Sequence, residues 1–409
     1  MNSVGVVVEY NPFHNGHAFH LASAKEVAGA DVAIAVMSGN FLQRGEPALV
    51  SKWTRTEMAL KAGVDIVFEL PYAFAVQQAD TFARGAVSIL DAAGCTSLCF
   101  GSESGNIDDF LHTLVFLQEH KPRYQERLKL HLTNGNSYPK ASSLAFLDLS
   151  PNRELVDLSM PNNILGYQYV KAAKELKSKM ELYTITRKNA GYHDKYFTSE
   201  SIASATSIRK ALFSDNGSVN SIKDYMPQTT FDGLLKYKDT YGNFHRWENY
   251  WPFLKFRLLQ TAPDELKMIY EMEEGLENRF LSAANQSDSF EEFMNRVKTK
   301  RYTWTRLQRA CAHILTNTTK DEMYTNQEEA SYLRLLGMTE KGREYLSQNK
   351  NCLGLPLLSR TAGNSFPQLL QDIRASRIYA LGLKDKGQKD LLKMEFTQPP
   401  IMLKTSELK

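Results

Sequence analysis

The stretch that decides the fold is Val4-Gly-Val-Val-Val-Glu-Tyr-Asn-Pro-Phe-His-Asn-Gly-His17. Its apolar start, residues 4–10, predicts a strand that is buried on both faces. Pro12 ends this strand, because proline has no N–H to give to a strand ladder. Gly16 lets the backbone approach a ligand closely, and a helix is predicted from there to residue 28. The stretch is therefore a strand–turn–helix unit with two histidines at the turn.

Units of the same kind follow along the first 215 residues. Short apolar runs predict strands at 4–10, 31–37, 65–70, 97–101 and 182–187. Amphipathic segments predict helices at 16–28, 52–62, 81–93, 164–177 and 208–213, and more helices in an insertion at about 106–160. Strands that alternate with helices through short connections indicate an α/β fold with a doubly wound parallel sheet, a Rossmann-like arrangement.

The pattern changes after residue 216. Ser214-Asp-Asn-Gly-Ser218 is typical of a linker. Beyond it, amphipathic periodicity predicts helices at 264–274, 290–298, 305–315, 330–336 and 340–346. We therefore expect two domains, a catalytic domain over 1–215 and a mostly α-helical domain over 216–409.

The composition describes an ordinary soluble globular protein. Of the 409 residues, 43% are hydrophobic and 23% are charged, and the net charge is +3. Such a charge permits a nucleic-acid partner without indicating one. The first residues lack a basic lead and carry Glu9, so we expect no signal peptide. No apolar run approaches the length of a membrane span, and we expect a cytoplasmic protein with no membrane partner.

The cysteines predict neither a disulfide framework nor a zinc site. Cys95 and Cys99 are spaced C-x3-C, but no second Cys or His pair completes a zinc site. We interpret all four cysteines as buried or incidental thiols in a reducing compartment, namely Cys95, Cys99, Cys311 and Cys352.

The two histidines at the first turn carry the chemical prediction. In a doubly wound sheet, ligands bind beyond the carboxyl ends of the strands, where helix N-termini direct N–H groups at anions. There His14 and His17 can donate hydrogen bonds to a phosphate as charge builds on it. Either ring alone could be a helix cap or a solvated side chain. His14, His17 and His20 also recur every three residues, but without further ligand spacing nearby we expect no metal site.

Three longer strings resemble a known family. They are Val8-Glu-Tyr-Asn-Pro-Phe-His-Asn-Gly-His17, Met37-Ser-Gly-Asn-Phe-Leu-Gln-Arg-Gly-Glu-Pro47 and Pro161-Asn-Asn-Ile-Leu-Gly166. Together they are similar to the bacterial tRNA(Met) cytidine acetate ligases, which share the HxGH signature of the nucleotidyltransferase superfamily. The resemblance implies an HxGH nucleotidyltransferase-like Rossmann domain. It also implies an enzyme that uses acetate and ATP, with Mg²⁺ on the phosphates, to make N4-acetylcytidine at the wobble position of elongator tRNA(Met).

A second string fits the same superfamily. Ser204-Ala-Thr-Ser-Ile-Arg209 precedes a helix, so its hydroxyls, N–H groups and Arg209 can face an anion. It is similar to the S-x-x-x-I-R signature that holds the leaving pyrophosphate. The chain has no KMSKS string, which departs from the synthetase version of this signature. An ordinary serine cap on a surface helix is the alternative.

The resemblance also assigns residues to ATP. Taken alone, Gly101 could be a simple turn after a strand, Asn162 a helix cap and Arg187 a surface charge. The family pattern implies that His14, His17 and Arg209 are catalytic. It implies ATP contacts at Val7, Asn11, Pro12, Phe13, His14, Gly16, His17, His20, Gly101, Asn162, Arg187, Ser207 and Arg209.

The end of the second strand suggests a place for the acid. Ser38, Gly39 and Asn40 follow that strand beside the first one, and we expect them to form the acetate pocket. Arg44, a few residues on, could neutralise a carboxylate or a phosphate, or could form a structural salt bridge.

One basic segment stands out in the C-terminal half. It reads Arg296-Val-Lys-Thr-Lys-Arg-Tyr-Thr-Trp-Thr-Arg-Leu-Gln-Arg309, with six cations and no acid. Cations can contact phosphates and rings can stack on unpaired bases. A solvated charged face with buried rings is the alternative. We predict tRNA contacts at Arg296, Lys298, Lys300, Arg301, Tyr302 and Trp304.

These observations favour an ATP-dependent ligase that forms acetyl-adenylate and passes the acetyl group to a cytidine of tRNA. Two other functions stay open. One is an adenylyltransferase that makes a dinucleotide cofactor, and the other is a non-catalytic RNA-binding protein on the same fold. The choice of acid and of tRNA rests on the resemblance alone, and no protein partner can be inferred.

Overall fold

The computed structural model describes residues 1–149, 154–187, 203–325, 328–404 and 406. Residues 150–153 of the predicted insertion lie outside the described residues. Within the described residues the chain forms one sheet of eight strands. The strands are β1 (Ser3–Val8), β2 (Val32–Ser38), β3 (Ile66–Leu70), β4 (Ser97–Ser102), β5 (Glu181–Thr186), β6 (Leu333–Thr339), β7 (Leu357–Leu358) and β8 (Ile401–Leu403).

Helices connect and cover these strands. Those of the first half are α1 (Asn15–Val27), α2 (Lys52–Lys61), α3 (Tyr72–Ala75), α4 (Ala79–Ala92), α5 (Ile107–Glu119), α6 (Lys121–Thr133), α7 (Tyr138–Leu147), α8 (Pro161–Glu175) and α9 (Ala205–Leu212). Those of the second half are α10 (Gln228–Tyr241), α11 (Trp247–Gln260), α12 (Pro263–Lys267), α13 (Leu276–Asn285), α14 (Phe290–Val297), α15 (Trp304–Leu315), α16 (Lys320–Thr325), α17 (Glu340–Gln348), α18 (Pro367–Ala380) and α19 (Asp385–Thr397).

The sheet has the doubly wound order that the sequence predicts. Its strands run β5–β4–β1–β2–β3–β6, with β7 and β8 both paired to β6. The first five strands in this order are parallel, and their positions confirm the strand predictions. From β1 the chain adds β2 and β3 on one side of the sheet and then β4 and β5 on the other side, so the order of the strands reverses at β1. A crevice forms at such a switch point, outside the carboxyl ends of the strands.

Alternation along the strands divides the core between the two faces of the sheet. On β2, Val32 and Ile34 pack with the helices that lie over one face. Ala33 and Ala35 pack with α1, α2 and α10 on the other face. All four side chains are fully buried. A strand buried on both faces needs apolar residues at every position, which explains the continuous apolar runs in the sequence.

Two predictions in the second half were wrong. Residues 330–336 were expected to be helical, but Leu333–Thr339 is β6, which pairs antiparallel with β3. Periodicity alone cannot distinguish a strand from a helix in a short apolar run. Here the run forms a strand because it pairs with the free edge of β3. The helix expected over 264–274 ends at Lys267, and positive φ at Glu271 and Glu274 is incompatible with a helix through the rest of that range.

The second half of the chain therefore does more than add helices. Its helices α11, α13, α14 and α15 enclose a separate apolar cluster. Its strands β6, β7 and β8 extend the sheet begun by the first half. The division at residue 215 stays a prediction. Among the helices of the described residues, none is long and apolar enough to cross a membrane.

Candidate active site

A cleft of about 350 Å³ opens at the carboxyl ends of β1, β4 and β5. The first turn of α1 forms one side of it. Eight residues predicted to contact ATP line this cleft, and they are Val7, His14, Gly16, His17, His20, Gly101, Asn162 and Arg187.

The two histidines of the turn hold each other in place. His14 is the N-cap of α1, and its Nδ1 accepts the Gly16 N–H at 3.0 Å. His17 Nδ1 accepts the His14 N–H at 3.3 Å, and the two rings stack with centroids 3.8 Å apart. Because each Nδ1 accepts a backbone proton, the proton of each neutral ring lies on Nε2. The turn thus presents two Nε2–H donors together with the free N–H groups of a helix N-terminus.

Burial keeps these imidazoles uncharged. It lowers the pKa of His14 to about 4, with smaller effects from Arg187 and Arg209. It also lowers the pKa of His17 well below its ordinary value, with His14 and Arg187 adding to the effect. The pKa of His20 falls to about 4, through burial first and Arg187 second. At neutral pH the site therefore offers neutral donors, and its permanent positive charge comes from arginines.

The opposite wall of the cleft carries the other predicted ATP contacts. Gly101, on β4, lies close to His20 and Arg187, since a Cβ there would come within 3.2 Å of Arg187 Cγ. Arg187 Nη1 donates to Asn162 Oδ1 at 2.8 Å. Asn162 Nδ2 in turn donates to Glu103 Oε1 at 2.6 Å. Gly101, Asn162 and Arg187 all line the cleft, so this chain of hydrogen bonds fixes its outer wall.

The N-terminus of α9 lies at the edge of the cleft. Ser204 caps this helix, and its Oγ accepts the Ser207 N–H at 3.1 Å. Ser204 lines the cleft, whereas Ser207 is exposed beside it. Arg209 donates to the Asn11 carbonyl at 2.8 Å and pairs with Glu46 at 2.5 Å. These contacts bring α9 to the turn that carries the histidines.

The turn residues Asn11, Pro12 and Phe13 support the histidines from behind. Asn11 Oδ1 accepts the Leu49 N–H at 2.7 Å. The Asn11–Pro12 peptide bond is cis. Phe13 is fully buried and packs against His17 with ring centroids 5.7 Å apart. Their side chains brace the turn, so the structure does not place them at the cleft surface as the prediction of ATP contacts implied.

The acetate pocket predicted after β2 is not supported by the geometry. Ser38 and Asn40 are buried, and Arg55 donates to the carbonyls of Ser38, at 2.9 Å, and Gly39. A Cβ on Gly39 would lie 2.6 Å from Glu69 Oε1. These residues belong to a packed polar core under the cleft, because the carboxyl end of β2 is covered by later parts of the chain.

The basic segment is largely neutralised by neighbouring acids. Arg296 pairs with Glu292 at 2.8 Å, and Arg301 pairs with Glu274 at 2.7 Å. Tyr302 is buried and donates to the same Glu274, so its ring is not presented for stacking as predicted. Trp304 is half-buried and donates to Gln308. Lys298 and Lys300 are exposed.

Several residues of the cleft were not among the predicted site residues, and three of them form one connected wall. These three are Glu9, Gln43 and Arg44. Glu9 follows β1 directly, and its Oε1 accepts the Gln43 N–H at 2.9 Å. A carboxylate immediately after a buried central strand was the signal that could have identified Glu9, because that end of a strand faces the crevice.

The loop that carries Gln43 and Arg44 is held by the second half of the chain. Gln308, on α15, donates to the Arg44 carbonyl at 3.2 Å. Gly45 has a φ of 78°, and a Cβ there would lie 2.5 Å from the Arg309 backbone nitrogen. The helix at the end of the basic segment is thus in direct contact with a wall of the cleft.

Comparisons with known proteins fit this geometry. The chain matches the HIGH Nucleotidyl Transferase family model over residues 1–393. It is 50% identical over 405 residues to the tRNA(Met) cytidine acetate ligase of Bacillus licheniformis, covering 98% of this chain and 97% of that protein. It is 49% identical over 383 residues to the protein of the same name from Bacillus thuringiensis, covering 93% and 98%.

Two crystal structures of Thermotoga maritima TmcAL have the same architecture. The form bound with alpha-thio ATP matches with a TM-score of 0.89, and the apo form matches with 0.87. Each is 34% identical to this chain and covers 99% of it and 100% of the solved chain.

Proposed function

Because the chain belongs to the HIGH nucleotidyl transferase family, and within it to the tRNA(Met) cytidine acetate ligases, we propose that it activates acetate with ATP and acetylates a tRNA. The acceptor is the N4 amine of the wobble cytidine of elongator tRNA(Met). The relatives' names favour this reaction over a dinucleotide-forming adenylyltransferase and over a non-catalytic RNA-binding protein.

In the first step an acetate oxygen attacks the α-phosphorus of ATP and pyrophosphate leaves. The Nε2–H groups of His14 and His17 lie at the N-terminus of α1, where they donate to the α-phosphate as its charge grows. Neutral, preorganised donors in a half-buried cleft need little reorganisation at that moment. Arg209 and the Ser207 end of α9 hold the outgoing phosphates.

The adenosine part lies against the opposite wall. Gly101 has no side chain to cover the backbone at the carboxyl end of β4, beside His20 and Arg187. Arg187 is oriented by Asn162, which is itself fixed by Glu103. This ordered chain of hydrogen bonds supports the assignment of these residues to nucleotide binding.

In the second step the N4 amine attacks the acyl carbon of acetyl-adenylate, and AMP leaves. A base in a duplex cannot present that amine to a cleft, so the acceptor must be unstacked. Since the relatives act on tRNA, we assign this step to the cytoplasm. The described residues hold no cluster of His, Cys, Asp or Glu suited to a metal ion. We therefore assign Mg²⁺ to the phosphate oxygens of ATP.

The stacked histidine pair at the N-terminus of α1 is the observation that carries this proposal. The test is incubation of the purified protein with ATP, acetate and tRNA, followed by nucleoside mass analysis of the tRNA. We expect N4-acetylcytidine together with AMP and pyrophosphate. Formation of a stable dinucleotide without any RNA would overturn the proposal.

A further inference from the structure

Glu9 lines the cleft, yet the adenylation chemistry has no use for it. Its carboxylate follows the central strand β1 and shares the cleft with His14 and His17. A carboxylate near a triphosphate repels it, so a role in the first step is less suited to this group than contact with a hydrogen-bond donor of a substrate. The second step supplies one, because its nucleophile is an N–H donor that has to lose a proton.

The structure holds Glu9 in a fixed position. Its Oε1 accepts the Gln43 N–H at 2.9 Å, and its own carbonyl accepts from Arg55 Nη1 at 2.7 Å. The Gln43 side chain donates to the Gln77 carbonyl at 2.7 Å, which fixes the loop that holds Glu9. A carboxylate has about four lone-pair positions, so one bond to Gln43 leaves capacity for a substrate amine.

The surroundings make Glu9 a stronger base than an exposed carboxylate. Burial raises its pKa, and Glu46 adds to this effect. The Gln43 N–H, Arg209 and Arg44 oppose it. Two further titratable groups act on Glu9, namely Arg55 on α2 and Tyr169 on α8.

We infer that the Glu9 carboxylate accepts a hydrogen bond from the N4 amine of the acceptor cytidine and takes the proton that this amine loses. The inference rests on the proposed function. As the N4 nitrogen bonds to the acyl carbon, the C–O bond to AMP breaks and its electron pair leaves with AMP. The N–H proton moves to Glu9. A carboxylate also distinguishes cytosine from uracil, because cytosine has the N4 amine donor where uracil has the O4 acceptor.

The decisive variant is Glu9→Gln, measured in the two half-reactions separately. Glutamine keeps an Oε1 to accept the Gln43 N–H, so it preserves the support of the loop and removes only the base. Acetate-dependent exchange of labelled pyrophosphate into ATP reports the first step. Single-turnover transfer from acetyl-adenylate to a tRNA(Met) transcript reports the second. We expect exchange close to that of the wild type and transfer reduced by about a hundredfold or more.

The same measurements separate the possible failures. Unreduced transfer in Glu9→Gln overturns the inference. Equal loss of both half-reactions also overturns it, since that pattern belongs to a group that shapes the whole cleft. Absence of acetate-dependent exchange in the wild type would instead remove the proposed function. Glu57→Gln, at a carboxylate that is paired with Lys61 on α2 and does not line the cleft, is the matched control and should keep both rates.

Discussion

The turn at residues 14–17 and the basic segment at 296–309 both carry groups suited to phosphates, but their partners differ. At the turn, His14 and His17 are held by backbone N–H groups of the same turn, and their Nε2–H donors are left for a ligand. In the basic segment, Arg296 and Arg301 are paired with acids.

Arg296 has a local partner in Glu292, but for the other arginines of the basic segment the difference lies in how far along the chain the partners are. The histidines are positioned by residues within three places of them, so a short string specifies their geometry. Arg301 is paired with Glu274, which lies 27 residues earlier. A run of charges therefore says little about binding until the fold has placed its counter-ions.

Loss of an imidazole donor should have the largest effect. We expect His17→Ala to slow acetate-dependent pyrophosphate exchange by about a hundredfold or more, because a preorganised donor to the developing phosphate charge is lost. Affinity for tRNA, measured by filter binding, should stay close to that of the wild type. His112→Ala, at an exposed histidine of α5, is the control. Exchange at the wild-type rate in His17→Ala would remove His17 from the reaction.

The low pKa of His14 should make the free energy of unfolding depend on pH. Its folded pKa, about 4, lies below the ordinary 6.5, so the folded state resists protonation. The stability gained from the neutral ring is present above pH 6.5 and is lost as the pH falls towards 4. The reference is His14→Asn, which keeps an N-cap acceptor. Between pH 7 and pH 5 the free energy of unfolding of the wild type should fall by about 2 kcal/mol more than that of this variant. Urea titrations at the two pH values measure it, and parallel curves would contradict burial of the ring.

Arg209 tests whether an arginine that is already paired with an acid, Glu46, still binds ATP. Arg209→Ala should raise KM for ATP by about tenfold, as expected for one charge-assisted hydrogen bond. Lys210→Ala, at the exposed neighbouring position, is the control. An unchanged KM would place Arg209 with the paired arginines of the basic segment, as a purely structural group.

The basic segment should respond unequally to two pairs of substitutions. Lys298 and Lys300 are exposed, and their joint replacement by Ala should lower the salt-dependence slope of tRNA binding by about two. Joint replacement of Arg296 and Arg301 should change it less, because their charges already face Glu292 and Glu274. Filter binding across a salt series measures both. Equal slopes in both variants would show that the ion pairs open on binding.

The sequence predicts well where local rules decide. The order of strands and helices in the first half follows from apolar runs and turn residues, and the structure confirms it. The position of His14 and His17 at a strand–helix turn is of the same kind. These features depend on neighbours along the chain, which a sequence displays directly.

Features that depend on distant packing could not be predicted. Residues 333–339 form a strand only because β3 offers an open edge. Ser38 and Asn40 lie at the carboxyl end of a strand, as pocket residues do, but later helices cover them, and Asn40 donates to Ser376 at 3.2 Å. Glu9 was missed for a different reason, since its apolar strand obscured the carboxylate at its end.

The pairing of β3 with β6 has a consequence for biosynthesis. Residues 71–332 separate the two strands in the chain. At about 5–20 residues per second, the ribosome exposes the β3 edge for roughly 15–50 s before its partner emerges. An unpaired edge is a template for aggregation, so the nascent protein is vulnerable throughout this interval. A fragment that stops near residue 215 would carry the same exposed edge permanently.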